Sequence, residues 1–349
     1  MARGRAAVLV LAIGRQEPAK AGTPNVMGHD STGFGVPALA GSGAKMRTAG
    51  ECRSRLRFGT RDLAWAAVSE SYQDAALLLV AHGSRQNVDS CAPALQHAAA
   101  LRERGLFGEV AVAFCKQPPF IREVLPTVSA RRIFVVPLFI GEGYFTEQFI
   151  PKELGLAGGR SGTVPQPQRG GTQALHYCGP VGTHPSMTEV LLARAHDVLE
   201  RHPPPEPVKA AEITLFLAGH GTGRNENSRK TIERHVELLR ARGLYADVQA
   251  LFIEERPRIS ECYQLAKTRH LVVVPCFISD GLHATEDIPV LLGEAAEVAR
   301  ARRGRGEWPW RNPTEKHGKW VWYTPSIGSE PHLPDVILER VREAAQFPG

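Results

Sequence analysis

The chain has 349 residues, 43% of them hydrophobic, and carries a formal net charge of +6. This length and composition allow more than one hydrophobic core, and two domains of about 130 residues fit the usual domain size. No apolar run approaches the ~18 residues that a membrane-spanning helix needs, which excludes a helical membrane protein. The six cysteines form no C-x-x-C pair, which argues against a zinc knuckle and predicts reduced, mostly buried thiols.

The N-terminal segment differs in composition from the rest of the chain. Residues 1–73 are rich in Ala, Gly and Arg and show no sustained apolar period, which predicts a disordered extension or a start codon assigned too far upstream. Arg3 and Arg5 precede the apolar run AAVLVLAIG, as in a signal peptide, but the run is short and no small-x-small cleavage site follows. We therefore expect a cytoplasmic protein.

From residue 74 onward, apolar runs alternate with helical patterns. The first half predicts strands near Ala75–Val80, Val110–Phe114, Ile133–Phe139 and Ala174–Tyr177. The proline-rich stretch HPPPEP at 202–207 follows, and its stiffness predicts a linker that ends the preceding helix. The sequence thus predicts one domain over 74–202 and a second over 208–346.

The second half repeats this order of elements. Ile232, Val236 and Leu239 share one face of a predicted helix over 227–242, and Gly243 is suited to its left-handed cap. The other predicted elements are strands Ile213–Ala218, Asp247–Ile253, Leu271–Phe277 and Trp320–Tyr323, and helices Ile259–Lys267, Pro289–Arg302 and Leu333–Ala345. Strict alternation predicts an α/β fold in which each domain has a four-stranded parallel sheet with helices on both faces.

The two halves are copies of one another. His82 and His220 lie in the matching phrases LLLVAHGSRQNVDS and LFLAGHGTGRNENS, and the offset between them continues without a gap to Ile150 and Ile288. Such a fixed offset is the signature of an internal repeat. His97 and His235 also match, but both fall in the middle of predicted helices, so we interpret them as helix residues and not as ligands.

The chemical groups differ between the copies. The second copy has Glu254 where the first has Lys116, and His283 where the first has Phe145. His220, Glu254 and His283 each follow a different predicted strand, so the open edge of a parallel sheet would bring them together. Two imidazoles and a carboxylate suit a first-row divalent metal, although a histidine after a strand also fits a hydrogen-bonded structural role.

A basic run between residues 300 and 320 has two further interpretations. Its arginines and lysines would suit nucleic acid or a polyanionic small molecule, but no recognition motif accompanies them. We therefore predict a solvated insertion loop and no nucleic-acid partner. The GHGTG phrase at 219–223 lacks the third glycine of a dinucleotide-binding loop.

Three phrases together resemble a known family. HGS and HGTG after the first strand, FIE at the end of the second and VVVPCFISDGLHATEDIPVLLG after the third are similar to the ATP-independent class II tetrapyrrole chelatases. The nearest resemblance is to the sirohydrochlorin cobaltochelatases and ferrochelatases of cobalamin and sirohaem synthesis. It implies two chelatase-like domains with an active site in the cleft between them.

The resemblance also implies roles for particular residues. It assigns metal binding and catalysis to His220, His283 and Glu254, whereas the first copy keeps only His82 and so has a degenerate site. The implied substrates are a divalent metal (Co²⁺, with Fe²⁺ and Ni²⁺ as alternatives) and a tetrapyrrole whose carboxylates would meet His82, Arg85 and Arg224. No organic cofactor is implied.

Two alternatives to an enzyme stay open from the sequence: a non-catalytic carrier, and an interaction protein of the chelatase fold without metal affinity. A non-catalytic carrier of metal or tetrapyrrole would need the same binding groups. The chain would act either as a monomer whose two domains form a pseudo-twofold pair or as a homodimer, and neither arrangement involves a membrane.

Overall fold

The structure is a computed structural model that describes residues 71–85, 88–156, 161–165, 171–221 and 226–346. These residues belong to one compact unit. The predicted N-terminal extension lies outside the described residues, apart from 71–73. Among the helices described, none is both long and apolar enough to cross a membrane.

The first repeat forms one sheet with flanking helices. Its strands are β1 (Tyr72–Ala81), β2 (Phe107–Phe114), β3 (Arg132–Leu138), β4 (Ser161–Pro165) and β5 (Thr172–Tyr177). Its helices are α1 (Ala92–Glu103), α2 (Ile121–Val124), α3 (Ile150–Glu153) and α4 (Met187–Arg201), and a π-helical turn over Phe145–Phe149 precedes α3. The strand order is β2-β1-β3-β5-β4.

The second repeat has the same architecture. Its strands are β6 (Ile213–Gly219), β7 (Asp247–Phe252), β8 (His270–Pro275), β9 (Thr314–Lys316) and β10 (Lys319–Tyr323). Its helices are α5 (Asn227–Ala241), α6 (Cys262–Leu265), α7 (Ile288–Leu291), α8 (Ala296–Gly304) and α9 (Leu333–Gln346), with a π-helical turn over His283–Asp287. The strand order is β7-β6-β8-β10-β9.

The predicted fold class is confirmed. In each sheet four strands are parallel, and a short fifth strand, β4 or β9, pairs antiparallel at the edge. The central strands are buried on both faces, as their continuous apolar sequences predicted; Leu77, Leu78, Leu79 and Val80 of β1 are all fully buried. Strand β9 lies within the basic run for which the sequence predicted a solvated loop.

One predicted helix is wrong. The sequence predicted a continuous helix over Pro289–Arg302, but α7 ends at Leu291 and α8 begins at Ala296. Gly293 lies between them with φ of +93°, a left-handed conformation that a helix cannot contain. The apolar period of the segment continues across this interruption, which is why the pattern alone did not show it.

The terminal helices are exchanged between the repeats. Helix α4 packs on β8 and β10 of the second sheet, and α9 packs on β3 and β5 of the first. One apolar cluster therefore contains residues of both sheets, such as Leu77 and Leu217. Each sheet has its own second cluster on the opposite face. The two repeats consequently share a core and complete each other.

Buried polar contacts fix this exchange in a symmetric way. Arg194 of α4 donates from Nη2 to the Ser326 carbonyl oxygen at 2.9 Å, and Arg340 of α9 donates from Nη2 to the Pro180 carbonyl oxygen at 2.8 Å. Both arginines are almost fully buried. Each bond joins a buried charged donor to a carbonyl of the other repeat, so these contacts favour one packing of the helices.

Two matched histidines make a second symmetric pair. His97 Nε2 donates to the Gly328 carbonyl oxygen and His235 Nε2 donates to the Gly182 carbonyl oxygen, each at 2.6 Å. Both rings are buried in the middle of α1 and α5, which confirms that they are hydrogen-bonded helix residues. Burial lowers the pKa of each imidazole below the ordinary 6.5.

We expect these two histidines to make the fold sensitive to mild acid. Above pH 6.5 both are neutral in the folded and unfolded chain; below it the unfolded chain takes up protons that the folded chain excludes. The free energy of unfolding should therefore fall as pH decreases from about 6.5 toward the lowered folded-state pKa. Urea unfolding at about pH 7.5 and about pH 5.5, on either side of the ordinary histidine pKa, measures this decrease in the free energy of unfolding. A His97→Gln/His235→Gln variant, which keeps a donor but does not titrate, should lose less; an unchanged pH dependence would contradict this origin.

Candidate active site

The three predicted ligands lie at one edge of the second sheet. His220 directly follows β6, Glu254 lies two residues beyond β7, and His283 is the first residue of the π-helical turn after β8. The strands are parallel, so their carboxyl ends meet at the same edge, where ligands bind in open α/β sheets.

The side chains are in mutual contact. The ring centroids of His220 and His283 are 4.7 Å apart and their planes are inclined by 80°. His220 Nε2 lies 3.7 Å from Glu254 Oε1, which is beyond hydrogen-bond distance but within the range of an ion pair. The three side chains are partly exposed, by 33%, 45% and 56% for His220, His283 and Glu254 respectively. The predicted His/Glu/His set is thus brought together and is open to solvent.

Asp287 is a fourth member that sequence reasoning missed. Its Oδ2 lies 2.6 Å from His283 Nδ1. A carboxylate only accepts, so the imidazole proton is on Nδ1 and the lone pair on Nε2 is available to a metal or a proton. The signal was present in the sequence, because Asp287 lies four residues after His283 in the phrase GLHATEDIP. The π-helical turn that spans both residues places their side chains on the same side.

A glycine positions His220. Gly221 has φ of +63°, and a Cβ at this position would lie 2.7 Å from Cβ of Phe252. The turn that presents the imidazole therefore requires a residue without a side chain. His220 Nδ1 is buried and has no hydrogen-bond partner among the described residues, so Nε2, which faces Glu254, is the nitrogen open to a ligand.

These donors do not form a closed metal cage. Within the described ranges, no three His, Cys, Asp or Glu side chains are arranged as a ready metal centre. Each imidazole nevertheless offers a neutral nitrogen and Glu254 an anionic oxygen, the donor types that Co²⁺, Fe²⁺ and Ni²⁺ accept. Such a set can hold a divalent ion loosely, and the free nitrogen of a neutral imidazole can also accept a proton.

The site opens into a large cleft. Its volume is about 1490 Å³, and it is lined by residues of both repeats, including His220 and His283 of the second and His82 and Phe145 of the first. A cleft for a drug-sized molecule is on the order of 300–1,000 Å³, so this one suits a larger ligand.

The matched position in the first repeat has the same geometry with different chemistry. The ring centroids of His82 and Phe145 are 4.7 Å apart with planes inclined by 80°, the values found for His220 and His283. Lys116 stands where the second repeat has Glu254, and its Nζ lies 5.3 Å from the centroid of Phe145. The backbone frame of a site is therefore kept in the first repeat, but of the second repeat's set only His82 remains.

The other two residues predicted to contact substrate are less informative. Arg85 is exposed, next to Ser84 on the cleft wall. Arg224 lies outside the described residues.

Comparison with known proteins places the chain in a family. Residues 76–198 and 214–344 each match the CbiX family. A probable sirohydrochlorin cobaltochelatase of Halobacterium salinarum is 41% identical over 279 residues, which cover 77% of this chain and 91% of that protein. A sirohydrochlorin cobaltochelatase of Methanopyrus kandleri is 26% identical over 140 residues, covering 38% of this chain and 96% of the relative.

Solved structures agree on the architecture. A multi-domain protein of Deinococcus radiodurans with structural similarity to chelatases has a TM-score of 0.60 and 29% identity, covering 76% of this chain and 54% of its own. SirB from Bacillus subtilis with Fe³⁺ has a TM-score of 0.56 at 19% identity, covering 78% and 95%, which shows the common fold. With both repeats matched and a relative at 41% identity along most of its length, the chain belongs to the CbiX family.

Proposed function

We propose that this protein inserts a divalent metal, Co²⁺ in the first place, into sirohydrochlorin. The observation that carries the proposal is the pair of adjacent imidazoles, His220 and His283, at the wall of a cleft of about 1490 Å³. Relatives named sirohydrochlorin cobaltochelatase supply the substrate class. Sequence alone does not select the metal, because nitrogen and oxygen donors accept cobalt, iron and nickel alike.

The reaction exchanges one divalent ion for two protons. The macrocycle loses its two inner N–H protons as four ring nitrogens bind the ion, so the two released protons balance its charge. His220 and His283, through Nε2, would present the ion or accept a proton, and Glu254 would accept the other. Asp287 would stabilise the imidazolium that forms on His283. Since metal–macrocycle bonds provide the driving force, the protein needs to position reactants rather than supply energy.

The two repeats would have different tasks. Residues 208–346 would supply the working site, and residues 74–202 the opposite wall, where His82 and Arg85 would meet substrate carboxylates together with Arg224. One chain supplies both walls of the cleft, so a monomer suffices for this arrangement. The described cysteines are all free thiols, which supports a reducing compartment such as the cytoplasm.

A spectral assay tests the proposal directly. Purified protein is mixed with sirohydrochlorin and Co²⁺, Fe²⁺ or Ni²⁺ in separate reactions, and the absorption change on metal insertion is followed against the rate without protein. Acceleration with Co²⁺ is the expected result. Tight binding of the macrocycle without any acceleration would instead identify a carrier. If the protein shows no binding and no acceleration, the proposal is refuted.

We expect Asp287→Asn to lower the rate of insertion by about 10–100-fold, the usual effect of removing the partner of a ligand histidine. Asparagine keeps the size but removes the charge, and its amide can donate to Nδ1, which moves the imidazole proton onto Nε2. Steady-state kinetics with Co²⁺ measure the effect. Asp247→Asn, at the opposite end of its strand from the site, is the control and should leave the rate unchanged. Equal rates for the Asp287 variant and the parent protein would show that the contact has no role in turnover.

A further inference from the structure

The first repeat carries a cluster of aromatic rings at the position of the lost site. Phe145 stacks with Phe139 at 5.9 Å between centroids and an interplanar angle of 23°, and it meets Phe149 edge-on at 5.6 Å. Tyr144 adds a fourth ring, 5.3 Å from Phe145. Phe139 and Phe145 line the cleft that also contains His220 and His283.

Two rings of the cluster replace ionisable groups of the second repeat, whereas Phe139 matches Phe277 and is common to both copies. Counted at the fixed offset between the copies, Phe145 stands for His283 and Phe149 stands for Asp287. The hydrogen-bonded imidazole–carboxylate pair of one repeat is thus a pair of phenyl rings in the other. Lys116 stands for Glu254, so the charge at the third position is reversed. Two of the three replacements are flat, apolar rings and the third is a cation. The ring geometry at His82 is preserved.

These rings are not simply core. Phe139, Phe145 and Phe149 are each only partly buried, and Tyr144 is 59% exposed. Contiguous aromatic surface facing water is unfavourable, and in a cleft it marks a place where a ligand covers it. Aromatic faces bind flat conjugated ligands by stacking, and this preference tolerates many substituents.

We infer that the first repeat provides the binding site for the macrocycle: Phe145 and Phe139 stack against the flat conjugated ring, and Lys116 pairs with one of its carboxylates. This inference rests on the proposed function and adds a division of labour to it. The second repeat holds the metal and moves the protons; the first holds the tetrapyrrole. The Lys116 ammonium is exposed and lies over the Phe145 ring, so it is placed to meet an acidic substituent at the edge of a stacked macrocycle.

The test separates affinity for macrocycle from affinity for metal. Phe145→Leu keeps apolar volume but removes the ring, and Phe145→Tyr keeps the ring. Quenching of sirohydrochlorin fluorescence gives the dissociation constant of the macrocycle, and steady-state kinetics give a KM for each substrate. We expect the leucine variant to weaken macrocycle binding about tenfold, the effect of losing an aromatic stacking contact, and to raise the macrocycle KM far more than the Co²⁺ KM. The tyrosine variant should bind like the parent protein.

Two further variants keep the inference testable. Lys116→Gln, at an exposed position, should fold normally and weaken macrocycle binding about threefold at low salt, with a smaller effect at high salt. Leu95→Ala, which removes an exposed apolar side chain outside the cleft walls, is the control and should change nothing.

The outcomes distinguish failure of this inference from failure of the proposed function on which it rests. If both Phe145→Leu and Lys116→Gln bind the macrocycle as tightly as the parent protein, the inferred stacking site is refuted, even if the protein inserts metal. A parent protein that neither binds nor metallates sirohydrochlorin would remove the proposed function itself. Equal losses in Phe145→Leu and Phe145→Tyr would also overturn the inference, because they would show a packing defect in place of stacking.

Discussion

Replacing His283 by alanine should lower the rate of Co²⁺ insertion into sirohydrochlorin by about 10²–10⁴, the range expected for removing a group that transfers protons. The ring contacts two other members of the site, His220 at 4.7 Å between centroids and Asp287 at 2.6 Å from Nδ1. Under the proposed function, its loss would remove a metal donor and a proton acceptor together. The absorption assay under saturating substrates measures the rate.

The same variant separates catalysis from folding. His283 is partly exposed at 45%, so its truncation leaves no large cavity, and the thermal unfolding midpoint should change little. His196→Ala, on α4 and outside the cleft walls, is the matched control and should insert metal at the parent rate. The two variants should also differ in calorimetry with Co²⁺, in which only His283→Ala loses affinity. Undiminished insertion by His283→Ala would end the assignment of the site.

Restoring three residues should give the first repeat a second metal site. The variant Lys116→Glu/Phe145→His/Phe149→Asp recreates beside His82 the set that surrounds His220. The geometry is already in place, because His82 and Phe145 have the same ring separation and angle as His220 and His283. We expect Co²⁺ binding by calorimetry to rise from about one to about two ions per chain, since two imidazoles and a carboxylate suit this metal.

The rebuilt variant has two controls. Phe145→His alone lacks both the carboxylate ligand and the partner for Nδ1, so it should bind the second ion far more weakly. Thermal unfolding must show that the triple variant is folded, because Phe145 and Phe149 pack against the outer apolar cluster of the first sheet. A folded triple variant that still binds one ion would mean that the backbone of the first repeat has diverged along with its side chains. The variant should also bind the macrocycle less tightly, because it lacks the Phe145 ring that we infer to stack on it.

Local sequence specified much of this protein. The continuous apolar runs predicted the parallel strands, because strands buried on both faces need no polar residues. The fixed offset between the copies revealed the repeat and, through it, the losses at Lys116 and Phe145. The sequence also predicted one shared sheet edge for His220, Glu254 and His283, since the carboxyl ends of parallel strands meet there.

Other features depended on contacts between distant residues. The exchange of α4 and α9 is fixed by pairs such as Arg194 with Ser326, 132 residues apart, and no periodicity within a helix records which sheet it covers. The short edge strands β4 and β9 exist only through pairing with their neighbours, because three to five residues carry too little pattern to be recognised. The role of Asp287 required the π-helical turn to be seen, since i to i+4 spacing alone is common in helices.

The sequence by itself thus determined the repeat, the fold class and the candidate ligands, all of which follow from residue type and order along the chain. Only the tertiary structure decided that the two repeats share one core, that His283 has a carboxylate partner, and that the lost site of the first repeat is an aromatic wall of the same cleft. The physical reason is that strand and helix patterns are written locally, whereas shared cores and cleft walls form between segments that lie far apart along the chain.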